Sequence, residues 1–330
     1  MNIVRFWFKN SRPTALPQSL LPAILAVCMA SNAQNFSLLF AILAVFGVMF
    51  GHLSMNLFDD YFDYKVKGSE FRDKLAGEGV RSRIAKCEYI TSGKATLKQL
   101  LVACFVFGFI ALLIGLFLFF QRGIAILYYM IALVVLGISY SGKPLKLSYR
   151  GLGELLIGFI FGPLLMTGVY YSACGVFDWS VVFISIPVGA LVMNIVYSHA
   201  IMDYEPDKKV GKMTLAVLLG NKKNMLMVHQ LLLIISYLSV ILGVVLGHLS
   251  YYYLLVLLTL PMAISQSYMM FEFIRHPQRA FTPKFWMGPM GNWERLKAIG
   301  LDWFMIRWLL ARNLLSFFCL IIIIITLFLK

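Results

Sequence analysis

Apolar runs long enough to cross a lipid bilayer recur along the whole chain. A membrane-spanning helix needs about 20 predominantly apolar residues, and nine stretches approach or exceed that length. The nine predicted helices lie at 14–32, 36–57, 97–120, 124–141, 152–172, 180–201, 224–246, 251–273 and 307–329. The pattern predicts an all-α, polytopic membrane protein with nine transmembrane helices, organised as one domain over residues 1–330.

Composition agrees with this prediction. Hydrophobic residues make up 60% of the 330, whereas soluble domains contain roughly 45–50% apolar residues. Arg5, Lys9 and Arg12 precede the first apolar run, as cations do in a secretory signal. Because eight further spans follow, we expect the first run to be retained as a helix.

The distribution of positive charge predicts an orientation. In the nine-helix arrangement, only Arg122 and Lys330 of the 29 lysines and arginines fall on one side of the membrane. Cytoplasmic loops carry the excess of Lys and Arg, so we expect the N-terminus inside and the C-terminus outside. The net charge of +14 then suits anionic lipid and phosphate-bearing substrates, and we expect no nucleic-acid partner. We expect an integral protein of a bacterial cytoplasmic membrane.

Two acidic segments follow apolar runs on the predicted inner side. The first is NLFDDYFDYKVKG, residues 56–68, and the second is DYEPDKKVGK, which begins at Asp203. Each contains an Asp-Tyr pair, has another Asp within four residues of that Asp, continues into lysines and reaches a glycine eight residues after the Asp of the pair (Asp60 to Gly68, Asp203 to Gly211). This is a weak internal repeat, of the kind that membrane proteins build by duplicating helix groups. The repeat predicts a site between the two halves.

Helical spacing places the acids of each segment on one face. Asn56, Asp60 and Asp63 stand at i, i+4 and i+7, and Asp203 and Asp207 stand at i and i+4. Asp59 lies beside the first face. Clustered carboxylates repel one another and lose hydration free energy when no counter-ion is present. A Mg²⁺ ion that binds these carboxylates together with substrate phosphates removes that cost. The alternative is that these residues are ordinary polar caps at the membrane edge.

The lysines that follow each acidic segment have the sign needed to bind the same phosphates. They are Lys65, Lys67, Lys208, Lys209 and Lys212. Lys143 and Arg150, in the short predicted inner loop before the fifth helix, are further candidate diphosphate ligands.

The two acidic segments resemble the paired aspartate-rich motifs of UbiA-type intramembrane prenyltransferases. The likeness is greatest to the branch that prenylates 1,4-dihydroxy-2-naphthoate on the way to menaquinone. YSGKPLKLSYRGLGELLIGFIFGPLLMTGVYY (140–171) and GKMTLAVLLG (211–220) are also similar to that branch. The resemblance covers about residues 10–245, whereas the later part, 246–330, is divergent. It implies nine helices around a central cavity, with Mg²⁺-diphosphate at the cytoplasmic mouth and the isoprenoid tail in an apolar tunnel.

Carried over residue by residue, the resemblance implies a set of site residues. The metal ligands are Asn56, Asp59, Asp60, Asp63, Asp203 and Asp207, and Asn56 also contacts substrate. Asp60 and Asp203 are expected to be essential for catalysis. From its position near the second acidic segment, His199 is a candidate proton acceptor, and Tyr140 is a candidate aromatic face for a carbocation. The alternatives are a hydrogen-bonded histidine inside a helix and a tyrosine that only packs. His199 and Met202 stand where the branch tends to have Asn and Arg.

The implied activity is the Mg²⁺-dependent transfer of a polyprenyl group from an allylic polyprenyl diphosphate to an aromatic acceptor. Dihydroxynaphthoate is the first acceptor to consider, and other quinone or haem precursors are the alternative. An ion-coupled transporter is the rival from another class, although its acids are expected near the membrane midplane on broken helices. A lipid-headgroup phosphotransferase and a non-catalytic protein with a degenerate site are further alternatives.

The long inner loop between Tyr64 and Lys98 is rich in cations and glycines. An allylic cation that meets water becomes a prenyl alcohol, so a lid that excludes water has a chemical benefit. We expect Arg81, Arg83 or Lys86 to bind the diphosphate as this loop closes. The alternative is a loop that rests on anionic lipid.

Overall fold

The computed structural model describes residues 2–65, 87–209, 211–277 and 279–329. Throughout these ranges the ordered elements are helices and no strand occurs, which confirms the all-α prediction. The helices are α1 Ile3–Asn10, α2 Pro17–Ala30, α3 Leu38–Lys65, α4 Glu88–Thr91, α5 Leu97–Arg122, α6 Ile124–Ser141, α7 Gly153–Cys174, α8 Trp179–Met202, α9 Tyr204–Lys209, α10 Leu215–Leu219, α11 Lys222–Val245, α12 Tyr251–Arg275, α13 Trp293–Ala298 and α14 Asp302–Phe328.

Eight of these helices are long and apolar enough to cross a membrane, counted over the described ranges. They are α3, α5, α6, α7, α8, α11, α12 and α14. The ninth predicted span is α2, which has only 14 residues, fewer than the about 17–25 that a span requires. Its length is limited by a 3-10 turn at Pro13–Ala15 and by a cap at Ser31. Nine full-length spans are therefore not confirmed in this part of the chain, where the ninth predicted span is a shorter apolar helix.

Two helix boundaries differ from the sequence prediction in ways that affect the site. Helix α3 continues to Lys65 rather than ending near residue 57, so the first acidic segment is helical. Helix α14 begins at Asp302 rather than at 307. In α3, polar residues extend the helix beyond its apolar run, because side chains such as Asp59 and Asp60 find partners on neighbouring elements.

Helix α8 lies at the centre of the bundle. Two thirds of its most apolar window, 67%, is buried inside the protein, and its flanks pack on α7, α11 and α14. The pairing with α11 is antiparallel: the hydroxyl of Tyr197 donates to the carbonyl oxygen of Met225 at 3.0 Å, and that of Ser239 donates to Phe183 at 2.9 Å. This central helix ends at Met202, so it delivers the second acidic segment to one end of the bundle.

Small residues allow α7 to approach α8 closely. A Cβ atom added to Gly162 would lie 2.4 Å from the Cα atom of Gly189, and one added to Gly158 would lie 2.9 Å from the Gly189 carbonyl oxygen. Gly158 and Gly162 form a Gly-x-x-x-Gly pair, the arrangement by which membrane helices bring their backbones together. At Pro163 the helix contains a π-turn over Ile160–Leu164, a known way of accommodating an irregularity inside a helix.

Candidate active site

A large cavity lies between the helices and reaches both acidic segments. Its volume is about 1610 Å³, which exceeds the roughly 300–1,000 Å³ of a typical small-molecule pocket. One end is lined by Asn56, Asp59, Asp60 and Asp63. The rest of the wall is mainly apolar and is built from α3, α5, α6 and α7. The cavity therefore joins a carboxylate-rich end to a long apolar chamber.

Asp60 is the most deeply buried acid of the first segment, with 2% of its surface exposed. Its Oδ1 atom lies 3.2 Å from a guanidinium nitrogen of Arg12, and the same nitrogen lies 3.3 Å from Asp59 Oδ2. That nitrogen also donates to the backbone oxygen of Asn56 at 2.8 Å. Arg12 thus ties three positions of one helical face to the N-terminal part of the chain.

The backbone before α2 holds Arg12 in place. Arg12 adopts the left-handed conformation with φ of 59°, and the amide of Asn56 donates to the carbonyl oxygen of Ser11 at 3.0 Å. Burial opposes the charge of Arg12, but the carboxylates of Asp60 and Asp59 outweigh this effect and raise the pKa of Arg12 above its usual value. The sequence offered only the position of Arg12 before an apolar run, so its role at the site was missed.

Tyr89 is a second residue that the sequence did not reveal. Its hydroxyl donates to Asp60 Oδ2 at 3.0 Å, and the side chain is buried. It lies on the short helix α4, which packs with Trp7 against this end of α3. Burial first, and then the neighbouring charge of Asp60, raise the pKa of Tyr89 above its usual value. The neutral hydroxyl is therefore available to orient Asp60.

The remaining acids of the first segment bind the last residue of α6 and the turn that follows it. The hydroxyl of Ser141 donates to Asp59 Oδ1 at 2.6 Å, and the hydroxyl of Tyr149 donates to Asp63. Tyr140 lies one residue before Ser141 and lines the cavity. The segment resembling a prenyltransferase stretch at 140–171 is thus in contact with the first acidic segment, although 77 residues separate Tyr140 from Asp63 in the sequence.

The second acidic segment reaches the same cavity through its last residue, Lys212, and through His199, which precedes it. His199 and Lys212 line the cavity wall. His199 Nε2 lies 3.3 Å from Asp203 Oδ2, and the backbone N–H of Lys212 donates to the carbonyl oxygen of Asp207 at 2.9 Å. Asp203 and Asp207 are both buried. The Asp203 carboxylate therefore lies directly behind His199, whereas Asp207 is joined to Lys212 through the backbone.

Glu154 fixes the chain that follows the second acidic segment. Its carboxylate accepts the backbone N–H of Leu215 at 3.2 Å, and the N–H of Gly151 donates to the carbonyl oxygen of Met213 at 2.6 Å. Because α7 begins here, these bonds link the two halves of the site.

Most of the lysines and arginines predicted to bind diphosphate lie farther from the cavity than the aspartates of the first segment do. Lys212 lines the wall, whereas Lys65, Lys143, Arg150, Lys208 and Lys209 are exposed and lie outside the lining. Lys65 and Lys208 lie over the rings of Tyr61 and Tyr204 at the ends of their own helices. Lys67, Arg81, Arg83 and Lys86, and with them the predicted lid, lie outside the described residues.

The donor atoms present suit a hard divalent cation. Within the described ranges no three His, Cys, Asp or Glu side chains converge as a ready-made metal centre. Mg²⁺, however, usually takes one or two carboxylates and completes its shell with water and substrate phosphates. The carboxylate oxygens on the cavity wall, from Asp59, Asp60 and Asp63, fit a cation that binds together with its substrate.

Comparison with known proteins identifies the fold. A sequence model of the UbiA prenyltransferase family matches residues 19–288. The structure is similar to one from work on digeranylgeranylglyceryl phosphate synthase, with a TM-score of 0.64, 17% identity and 99% of each chain covered. It is also similar to a UbiA homologue from Archaeoglobus fulgidus bound to GPP and Mg²⁺, with a TM-score of 0.58, 17% identity, and 94% of this chain and 99% of that chain covered.

Curated relatives are similar in sequence. The 1,4-dihydroxy-2-naphthoate octaprenyltransferase of Bacillus subtilis is 28% identical over 64% of this chain and 65% of its own length, so the chain spans just under two thirds of that relative. The enzyme of the same name from Haemophilus influenzae is 27% identical over 67% of this chain and 71% of its own length. The UbiA prenyltransferase domain-containing protein 1 homolog of Drosophila melanogaster is 29% identical over 76% and 67%. This polytopic membrane protein belongs to the UbiA prenyltransferase family.

Proposed function

We propose that the protein transfers a polyprenyl group from an allylic polyprenyl diphosphate to 1,4-dihydroxy-2-naphthoate, a step of menaquinone biosynthesis. The observation that carries the proposal is the single cavity that joins a carboxylate-lined end to a long apolar chamber. Such a cavity has one end for a diphosphate and another for a hydrocarbon chain. The octaprenyltransferase name of several relatives and the GPP and Mg²⁺ bound by a structural neighbour support this assignment.

The acidic end would hold Mg²⁺ through Asn56, Asp59, Asp60, Asp63, Asp203 and Asp207. When bound, the ion neutralises charge that develops on the departing diphosphate. Arg12 and Tyr89 hold Asp60 in one orientation, and Ser141 and Tyr149 do the same for Asp59 and Asp63. This arrangement sets the acids before substrate arrives, which lowers the reorganisation needed during the reaction.

The protein's own side chains account for the remaining steps. The allylic C–O bond breaks and its electron pair leaves with the diphosphate, on which Lys212 can act from the cavity wall. Tyr140 offers an aromatic face to the allylic cation, and the apolar wall excludes the water that would quench it. The naphthol ring then attacks. When His199 Nε2–H donates to Asp203, Nδ1 is left to accept a proton from the acceptor.

The position of the acids favours an enzyme over an ion-coupled transporter. Asp60 and Asp63 lie in the last turns of α3, and Asp203 lies at the end of α8. Transporter sites are typically found near the membrane midplane on interrupted helices. Other quinone or haem precursors remain the alternative acceptors, because His199 and Met202 replace residues typical of the dihydroxynaphthoate branch.

A product assay tests the reaction and the acceptor together. Purified protein in nanodiscs is incubated with Mg²⁺, prenyl diphosphates of several lengths and a panel of aromatic acceptors, and products are identified by mass spectrometry. We expect prenylated naphthoate-derived product and diphosphate, loss of both in EDTA, and recovery when Mg²⁺ is restored. Prenylation of a different acceptor alone would show that dihydroxynaphthoate is not the acceptor. Full turnover in EDTA would contradict a metal-dependent reaction.

We also propose that the site faces the cytoplasm, as the charge distribution predicts. In sealed, right-side-out cells, a membrane-impermeant thiol reagent is expected to label Ser250→Cys, at the start of α12, and not Lys209→Cys, beside the second acidic segment. Both positions are exposed. Permeabilised cells provide the control, because both cysteines should then react. Labelling of Lys209→Cys alone in intact cells would contradict the proposal and show that the site faces the outside.

A further inference from the structure

Residues 279–300, between α12 and α14, follow a path that a simple surface loop does not take. We call this stretch the re-entrant segment. We propose that its middle part is embedded in the membrane leaflet on the acidic side of the protein and contacts lipid acyl chains through Phe285 and Trp286. This stretch belongs to the part of the chain, 246–330, whose sequence is divergent from the dihydroxynaphthoate branch.

Both ends of the segment lie at the acidic end of the bundle. Helix α12 ends at Arg275 and α14 begins at Asp302. The start of α14 is beside the second acidic segment, because the ring of Phe304 lies 5.0 Å from that of His199. The segment therefore leaves and rejoins the helices on the same side of the membrane.

As the chain advances through the segment, its contacts on α12 move from the C-terminal end of that helix toward its middle. Arg279 lies 2.8 Å from Glu272, three residues before the helix ends. The ring of Phe281 then meets that of Tyr268 at a centroid distance of 5.9 Å. Finally, the indole N–H of Trp286 donates to the hydroxyl of Ser265 at 3.1 Å. Successive contacts thus move toward the middle of α12.

The highest part of the segment is fastened to α14. The side-chain amide of Asn313 donates to the carbonyl oxygens of Met287 at 2.9 Å and Pro289 at 2.8 Å. Asn313 lies eleven residues after Asp302, which corresponds to about 16 Å along a helix. Ser265 lies ten residues before Arg275, or about 15 Å. If each helix projects by about one turn from a hydrocarbon core about 30 Å thick, these contacts lie about 10 Å inside the core.

The backbone at this depth is protected in the way that a membrane requires. Irregular backbone is tolerated within the hydrocarbon region only where the protein satisfies its polar groups, and Asn313 does so for two carbonyl groups. Gly288 makes the close approach possible: its φ is +76°, and an added Cβ would lie 2.8 Å from the ring of Phe317. Met287 and Met290 are buried against the helices.

A buried cation, Arg307, packs against the first part of the re-entrant segment at Phe281. Arg307 has no exposed surface, and its guanidinium carbon lies 5.4 Å from the ring centroid of Phe281 and 5.1 Å from that of Phe273. Its Nε donates to the carbonyl oxygen of Met269 at 3.2 Å. Cation–π contacts of this kind are worth more when desolvated. The segment is therefore packed on the bundle rather than free in solution.

The outward surface around Phe285 and Trp286 is apolar apart from the exposed Lys284, whose long side chain can carry its charge toward the headgroups. This surface continues the lipid-facing surface of the helices. Phe285 is 93% exposed and Trp286 is 41% exposed, beside Ile264, which is 65% exposed on α12. An aromatic pair exposed to water at this scale would be costly, whereas acyl chains cover it without cost. The charge pattern agrees, because exposed Arg295 and Lys297 follow where the segment returns to the start of α14, at the level of the headgroups.

Nitroxide accessibility tests the proposal. A spin label is placed at Phe285→Cys in a variant whose five native cysteines are replaced by alanine, reconstituted in liposomes. Label at Ile264→Cys serves as the acyl-chain reference and label at Lys297→Cys as the aqueous reference. We expect label 285 to collide readily with O₂ and poorly with a water-soluble nickel chelate, as at 264. Accessibility to nickel like that at 297, or an immobile label shielded from both reagents by protein, would overturn the proposal.

Photocrosslinking keeps the proposal testable in the native cysteine background. With benzoylphenylalanine at position 285, we expect lipid adducts in the mass spectrum, as from the same group at 264, and their absence at 285 alone would refute lipid contact. Asn313→Ala should release the segment and increase nickel accessibility at 285 several-fold. The matched control is Ser316→Ala, whose hydroxyl bonds the carbonyl oxygen of Arg312 in its own helix and should leave that accessibility unchanged.

Discussion

Asp60→Asn and Asp203→Asn are each expected to lower kcat at least about 100-fold, the size of effect typical of removing one electrostatic contact to a developing charge. Asparagine preserves the shape of the side chain, so the change tests the charge. Asp60 is surrounded by Arg12 and Tyr89, and Asp203 is paired with His199. Loss of either carboxylate weakens metal and diphosphate binding, and it leaves these partners without the group that orients them.

The matched control is Glu205→Gln. Glu205 lies between Asp203 and Asp207 in the sequence but is exposed, whereas both aspartates are buried. It should retain nearly full turnover. Thermal unfolding followed in detergent separates lost chemistry from lost structure. Asp203→Asn is expected to unfold near the wild-type temperature, whereas Asp60→Asn should unfold at a lower temperature because its contact with Arg12 is weakened. Full activity in both aspartate variants would exclude these acids from the reaction.

Arg12→Gln is expected to impair both stability and activity. The guanidinium of Arg12 contacts the backbone of Asn56 and the carboxylates of Asp59 and Asp60. A third of the Arg12 side chain is exposed, but only 3% of the Asp60 side chain is. The substitution should therefore lower the free energy of unfolding by about 2 kcal/mol. This value lies between the effect of removing a surface ion pair and that of breaking a buried one. Misplacement of Asp60 should lower kcat/KM about tenfold or more.

Two comparisons make the Arg12 prediction specific. Arg12→Lys keeps the charge but not the planar fork, so it should recover only part of the loss. Arg5→Gln removes an exposed cation from the neighbouring helix α1 and should change neither the unfolding temperature nor kcat/KM. In the double variant with Asp60→Asn, the two effects should not add, because both remove the same contact. Additive losses, or an Arg12→Gln variant equal to Arg5→Gln, would show that the pair does not support the site.

Long apolar runs and short-range periodicity were sufficient to predict much of this protein. The eight long spans follow from runs that the bilayer requires to be helical, and the shared face of Asn56, Asp60 and Asp63 follows from the period of the helix. The predicted length of α2 was wrong, since apolar character continues past the residues where prolines and a cap end the helix.

The partners of the acids were beyond the reach of such patterns. Arg12 precedes Asp60 by 48 residues and Tyr89 follows it by 29. Cations and tyrosines are common at membrane edges, so nothing local distinguishes these two from their neighbours. They became part of the site only because α1 and α4 pack against the end of α3.

The sequence by itself therefore determined the long apolar helices and the acidic face of α3, because both depend on residues that are close together within one helix. The tertiary structure decided which side chains orient those acids, how the apolar cavity meets them, and that residues 279–300 climb along α12 and α14. These features join residues that are far apart in the chain, such as Asn313 with Met287 or Ser141 with Asp59. Their geometry depends on how the helices pack, which no local periodicity specifies.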